Sequence, residues 1–387
     1  MGHPASHKRE NRASRSIREV VTAFVRGLQH LIRLLVAVAL TLHLAVAAQA
    51  ADRGAATPPP TLSQLVGQKL IIRMDGTTPS AGLLARVRRG EVGGIVLFGF
   101  NITTKSALIA ATAKLQKTAA EGGQPPLLIM VDQEGGTVRR LPWAGPTLSA
   151  RQMGVDGSVD LVTQQGSSSA AALKAAGINV NLAPVMDVAD SNASFMYRQA
   201  RTFGFSDTAV ARLATAFAEG TGSQGVLPVL KHFPGIGRAT RNTDFSRAVI
   251  RASRWAMDED LLPFRRAIDA GAAPIVMLSN ATYSAWDSEN GAGWSKAMSA
   301  FLRDDIGYTG VTITDSLTGQ ATIYQRPLHV IAARACRAGT DMLMLTGSEG
   351  ATARTFSRLV SLAESGSISR GTLRASYDRI IALKSRF

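Results

Sequence analysis

Eight short apolar runs recur through residues 69–347, and they are continuous rather than alternating. They read "KLIIRM" (69–74), "GGIVLF" (93–98), "PLLIMVD" (126–132), "INVNLAPVMDV" (178–188), "VLPVLKH" (226–232), "PIVMLSN" (274–280), "GVTITDS" (310–316) and "DMLMLTG" (341–347). A strand that is apolar at every position is covered on both faces, as in a parallel sheet flanked by helices. Amphipathic stretches such as "SALIAATAKLQKTAA" and "TAVARLATAFAEG" lie between the runs. Strand–helix alternation repeated eight times predicts a single-domain α/β fold, a (β/α)8 TIM-type barrel over residues 62–387. An open doubly wound sheet is the competing arrangement. No G-x-G-x-x-G turn follows any of the runs, which removes the dinucleotide-binding argument for it.

The first fifty residues are of another kind. Lys8, Arg9, Arg12, Arg15, Arg18, Arg26 and Arg33 face only Glu10 and Glu19, then "LLVAVALTLHLAVAA" runs apolar to Ala48, and "AQA" precedes Ala51. A basic segment, an apolar segment and a small-residue cleavage site predict an export signal over 1–50 with a long basic start. The apolar run, interrupted by His43, is short for a span of roughly 20 residues, so no stable membrane span is expected after processing. No cysteine stands near Ala50 to accept a lipid. Residues 51–61 form a proline-rich linker. The expected location is secreted or in the cell envelope, as a monomer.

The whole chain carries a net charge of +15. Its basic residues are scattered, without the basic and aromatic clustering that nucleic-acid binding calls for, and no nucleic-acid partner is expected. Cys336 is the single cysteine, in a helical context that buries it, so no intrachain disulfide can form. No metal-ligand spacing is visible, and neither metal nor cofactor is expected.

In a barrel, chemistry gathers at the C-terminal ends of the strands. Those ends place Asp132, Asp187, Lys231, His232, Asn280 and Asp315 on one rim. Taken singly, Asp315 would serve as well as a cap for the next helix. The chain has no G-x-S-x-G elbow and no H-E-x-x-H helix, and carboxylates dominate the rim. Two carboxyl groups, one a nucleophile and one a proton donor, are the minimum for cleaving a glycosidic bond with retention. Arg140, Arg201 and Lys231 would bond sugar hydroxyls or an attached carboxylate, and Trp143 would offer a ring face. Glu134 is expected to buttress its loop through backbone hydrogen bonds. Asp187 would pair with Lys231 or Arg201, and His232 is either a satisfied buried histidine or a substrate contact.

The segments "VDQEGGTVRRL", "GINVNLAPVMDV", "ARTFGFSD", "KHFPGIG" and "GYTGVTITDSL" occur in this order. Together they resemble the barrel of glycoside hydrolase family 3, in its single-domain β-N-acetylhexosaminidase branch, and the likeness runs from about residue 61 nearly to the C-terminus. The resemblance implies a retaining exo-β-N-acetylhexosaminidase with Asp315 of "TDSL" as nucleophile. It also implies a pocket for a terminal N-acetylglucosamine lined by Asp132, Arg140, Arg201, Lys231 and His232. A carbohydrate such as a peptidoglycan fragment or another glycan is the implied partner. A β-glucosidase or β-xylosidase preference is an alternative within the family.

The chain departs from that branch on the loop after "KHFPG". The branch carries its acid/base there as a histidine backed by an aspartate, within "DSH". Here the loop reads "RATRNTDFS", with Phe245 and Ser246 where the histidine is expected, and Asn280 replaces a second histidine after the sixth strand. Three readings follow. Asp244 is itself the general acid/base, its pKa raised by burial under a loop hinged at Gly235 and Gly237; or the enzyme is attenuated; or the barrel binds saccharide without cutting. "RNTD" also fits an Asx-type turn in which Asp244 caps backbone amides.

Overall fold

The structure, a computed structural model, describes residues 59–387. The export signal over 1–50 and nearly all of the linker lie outside the described residues.

All eight apolar runs form strands: β1 (Leu70–Arg73), β2 (Gly94–Leu97), β3 (Leu128–Val131), β4 (Val180–Asn181), β5 (Leu227–Phe233), β6 (Ile275–Leu278), β7 (Val311–Thr314) and β8 (Leu343–Leu345). Every neighbouring pair is parallel, in the order β7-β6-β5-β4-β3-β2-β1-β8. The remaining seam closes between β7 and β8, where the amide of Thr314 donates to the carbonyl of Met342 at 3.0 Å and that of Met342 donates to Thr312 at 2.9 Å. The sheet is a barrel and not an open doubly wound sheet.

The alternation along each strand divides the core in two layers. Ile71, Val96, Met130, Val229, Met277 and Ile313 fill the interior, while neighbours such as Ile72, Ile129 and Val276 pack outward against helices. Those helices are α1 (Ala81–Arg88), α2 (Lys105–Glu121), α3 (Val159–Ala175), α4 (Asp207–Gly222), α5 (Asp258–Asp269), α6 (Lys296–Ala300), α7 (Leu317–Ile323), α8 (Leu328–Ala338), α9 (Glu349–Glu364) and α10 (Arg370–Lys384). Serine or threonine caps the N-terminal amides of α1 to α4, where Ser80, Thr104, Ser158 and Ser206 each accept a backbone hydrogen bond, so each helix starts where its orphan donors find an oxygen. Cys336 is buried on α8, as its context implies.

Two helices, α9 and α10, follow β8, and the second seals the barrel at the face opposite the strand tips. Ile380 and Leu383 join the interior cluster. Lys384 Nζ donates to Gln68 Oε1 at 2.8 Å and to the carbonyl of Gly93 at 2.7 Å, and burial lowers its pKa to about 7.

Candidate active site

The strand tips open into a cavity of about 480 Å³. Asp132 follows β3, Lys231 and His232 end β5, and Asp315 follows β7. Arg140, Arg201 and Asp244 reach the same cavity from loops, so all seven residues singled out as catalytic or sugar-binding line one space. Lys231 and His232 are consecutive, and in a regular strand they would point to opposite faces. The β5–β6 pairing shifts register between Lys231 and Phe233, and this irregularity lets both side chains serve the rim.

The floor on one side is an ion network. Lys231 Nζ lies 2.7 Å from Asp132 Oδ1 and 2.6 Å from Glu134 Oε1. Arg201 meets Glu134 in a two-pronged pair, Nε to Oε2 and Nη2 to Oε1, both at 2.8 Å. Glu134 therefore holds cations and does not brace its loop through the backbone, contrary to expectation. Burial alone would raise its carboxyl, but the charges and hydrogen bonds of Arg201 and Lys231 outweigh burial and hold it well below the usual carboxylate range. Burial likewise disfavours the Lys231 ammonium, and Asp132 and Glu134 more than offset it, so this lysine stays charged. Arg140 sits more loosely, with Nη2 3.9 Å from Asp132 Oδ2 and a buried Nε that has no partner among the described residues.

Asp187 also departs from expectation: it pairs with neither Lys231 nor Arg201. Its Oδ2 lies 2.8 Å from His232 Nδ1, and its Oδ1 accepts from the amides of His232 at 3.3 Å and Ile236 at 2.9 Å. This fixes the imidazole by its Nδ1 edge and leaves Nε2 as its uncommitted atom. His232 is thus both buried and on the cavity wall. Asn280 is not on that wall; its Nδ2 donates to the carbonyl of Ser316 at 3.1 Å. Trp143 is half-exposed and lines no part of the cavity. The aromatic surface comes instead from Phe98, Phe195 and Phe245, of which only Phe245, in the place of the expected histidine, stood out in the sequence.

Two carboxyl groups remain outside these networks. Asp315 Oδ1 accepts from the amide of Ser316 at 2.6 Å. It does not cap α7, whose N-cap position is Ser316 without a side-chain bond. The loop of 238–246 carries Asp244, and the Asx turn there belongs to Asn242, whose Oδ1 accepts from the Asp244 amide at 2.9 Å. Asp244 caps nothing, and its Oδ1 is buried without a hydrogen-bond partner among the described residues. Its pKa is raised to about 7, first by the charge of Asp315 and then by burial, against the opposing charges of His232 and Arg201. Burial is thus the second cause rather than the first. The two glycines at the base of the loop, Gly235 and Gly237, are closely packed. A Cβ on Gly237 would sit 1.7 Å from the carbonyl of Val188, and Gly235 has φ +127° with Asp260 2.9 Å from where its Cβ would be. Both glycines permit close packing that a side chain would prevent.

Residues 60–383 match the "Glycosyl hydrolase family 3 N terminal domain". The chain belongs to glycoside hydrolase family 3. An "Uncharacterized secreted glycosyl hydrolase" of Arthroderma benhamiae is 34% identical over 336 residues, covering 84% of this chain and 94% of that protein. Among solved structures, the β-N-acetylhexosaminidase of Beutenbergia cavernae superposes with a TM-score of 0.77 at 31% identity, over 84% of this chain and 99% of that one. The family 3 β-N-acetylglucosaminidase of Paenibacillus sp. gives 0.79 at 30% identity; the match covers 85% of this chain and 63% of the larger Paenibacillus chain.

The buried network makes the first of the expected results. Glu134→Ala leaves the Lys231 and Arg201 cations without their shared partner. Removing one member of a buried ion pair costs about 3–5 kcal/mol. Thermal denaturation should show a clear fall in midpoint, with Glu134→Gln intermediate because its amide oxygen still accepts one bond. A midpoint within a degree of the parent would mean that the network carries no stability.

Proposed function

We propose that this family 3 barrel is a retaining exo-β-N-acetylhexosaminidase that removes terminal β-linked N-acetylglucosamine. The observation that carries the reading is the carboxyl pair: Asp244 and Asp315 line one cavity, and the charge of Asp315, ahead of burial, raises the Asp244 pKa to about 7. Asp315, bonded at one oxygen to the Ser316 amide, attacks the anomeric carbon and forms a glycosyl ester. Asp244 gives its proton to the departing glycosidic oxygen, and as a carboxylate it then takes a proton from the water that opens the ester. Asp132, Arg140, Arg201, Lys231 and the His232 Nε2 edge hold the sugar. Hydroxyls bonded to charged groups in a dry cavity bind more strongly than in water.

A barrel that binds without cutting has no need of a second carboxyl whose pKa its neighbour raises, and that arrangement supports turnover. The same seven side chains come from a single chain, which supports a monomer as the working unit. Export rests on the composition of residues 1–50 and on the secreted Arthroderma relative. No helix among the described residues is long and apolar enough to cross a membrane. An exported enzyme of this kind would act on cell-envelope or environmental glycans, including peptidoglycan fragments. The test is a panel of 4-nitrophenyl β-glycosides with gluco, xylo and N-acetylglucosamine configurations, together with N,N′-diacetylchitobiose. Preference for the N-acetylated sugars and release of one monosaccharide at a time is the expected result. Preference for the glucoside or xyloside would overturn the assignment.

A further inference from the structure

We propose that Gly319 and Gln320, one turn into the helix that follows Asp315, are positioning residues that clamp the Asp244 loop at a fixed distance from the nucleophile. The proposal rests on reading Asp244 as the acid/base. Two consecutive carbonyls of the loop dock on two consecutive residues of α7. Gln320, which is 1% exposed, donates from Nε2 to the carbonyl of Thr243 at 2.7 Å. The next carbonyl, that of Asp244, comes so close to Gly319 that a Cβ there would lie 2.6 Å from it. Any side chain at 319 must push the loop backbone away.

The position of the Asp244 carboxyl depends on its backbone, because no hydrogen bond to its Oδ1 holds it among the described residues. That backbone is fixed from within by Asn242 and from the far side by Arg198, whose Nη2 donates to the carbonyl of Thr240 at 2.7 Å. Towards α7 the loop rests on the Gly319–Gln320 contact and, just past Ser246, on Arg247, whose guanidinium lies 5.4 Å from the centre of the Tyr324 ring. The helix that carries the Gly319–Gln320 contact starts two residues after Asp315, so both catalytic carboxyl groups are referenced to one rigid segment. The loop is then a fixed arm and not a lid, in keeping with the close-packed glycines at its base.

The clamp matters most where proton transfer matters most. A displacement of about 1 Å can cost about 100-fold when geometry governs the barrier, and this cost falls on substrates whose leaving group needs a proton. Gly319→Ala and Gln320→Leu should therefore lower kcat/KM for the methyl β-glycoside of N-acetylglucosamine by about 10-fold to 100-fold. For the 2,4-dinitrophenyl glycoside, which leaves without help, kcat/KM should fall by no more than about threefold, while kcat and KM fall together because Asp244 still assists the opening of the ester. The alkaline limb of the pH profile should move to lower pH, because a more distant Asp315 raises the Asp244 pKa less. Equal losses on both glycosides would mean a general structural role, and no loss on either would mean that the contact positions nothing; each overturns the proposal. Should Gly319→Ala fail to fold, Gln320→Leu and Gln320→Glu carry the same comparison. Asp244→Asn runs alongside: if it lacks the leaving-group dependence, the acid/base reading itself fails, whereas dependence in Asp244→Asn alone rejects only the clamp.

Discussion

Asp315→Asn should reduce kcat on the order of 10⁴-fold or more while leaving the fold and sugar binding in place. An amide of the same shape keeps the bond from the Ser316 amide, which Asp315 accepts at 2.6 Å, but it cannot form the glycosyl ester. Losing the nucleophile of a cooperating set typically removes nearly all of the catalysis that set supplies. The same substitution deletes the largest influence on Asp244, since the Asp315 charge is the first cause of its raised pKa. Asp244 should then titrate lower, closer to an ordinary aspartate. Equilibrium binding of N-acetylglucosamine, measured by calorimetry, should persist because Asp132, Arg201, Lys231 and His232 are untouched. A variant that retains a tenth of the parent turnover would remove Asp315 from the mechanism.

Asp244→Asn should cost about 10²–10⁴-fold in kcat/KM on substrates with poor leaving groups, the range that general acid/base catalysis supplies, and far less in kcat/KM on the 2,4-dinitrophenyl glycoside, whose kcat is then limited by unassisted opening of the ester. In the parent, kcat/KM should fall as pH rises through about 7, because Asp244 gives up the proton it must donate. The variant should lack that alkaline limb. Stability gives an independent check with a definite sign. The folded pKa of Asp244 lies above its ordinary value, so the folded state binds this proton more tightly than the unfolded chain does. Stability associated with Asp244 is therefore fully present below about pH 4 and is lost as pH rises towards about 7. Asp244→Asn should accordingly melt higher than the parent at pH 8 and show little difference at pH 4. Equal midpoints at both pH values would mean that Asp244 does not face a charged Asp315.

The barrel was legible because strands buried on both faces leave continuous apolar runs, and all eight runs became parallel strands. Even so, the run "INVNLAPVMDV" pairs only at Val180–Asn181 as a strand, since Pro184 has no amide to donate to a ladder. The rim residues were legible for the same reason: a strand end fixes where its next side chain stands. Partner choice was not. Asp132, Glu134 and Asp187 are all carboxylates near the same cations, and only the three-dimensional distances assign Glu134 to Arg201 and Lys231, and Asp187 to His232. A hinge glycine and a close-packing glycine look identical in sequence, and only the structure shows how tightly Gly235 and Gly237 lie against Asp260 and Val188. Gln320 carried no signal at all, because its role depends on a loop distant in the chain. In "RNTD" the turn-forming side chain is Asn242 and not Asp244, and that exchange is what frees Asp244 for chemistry.

The central claim is that Asp315 and Asp244 act as nucleophile and acid/base. It is tested most directly by incubating Asp244→Asn, and Asp244→Asn combined with Asp315→Asn, with the 2,4-dinitrophenyl glycoside of N-acetylglucosamine and sodium azide. The glycosyl ester on Asp315 needs no general base to be opened by azide. The account predicts faster turnover of the single variant with azide and a β-configured glycosyl azide as product, both absent in the double variant. An α-configured azide, or azide product from the double variant, would contradict it.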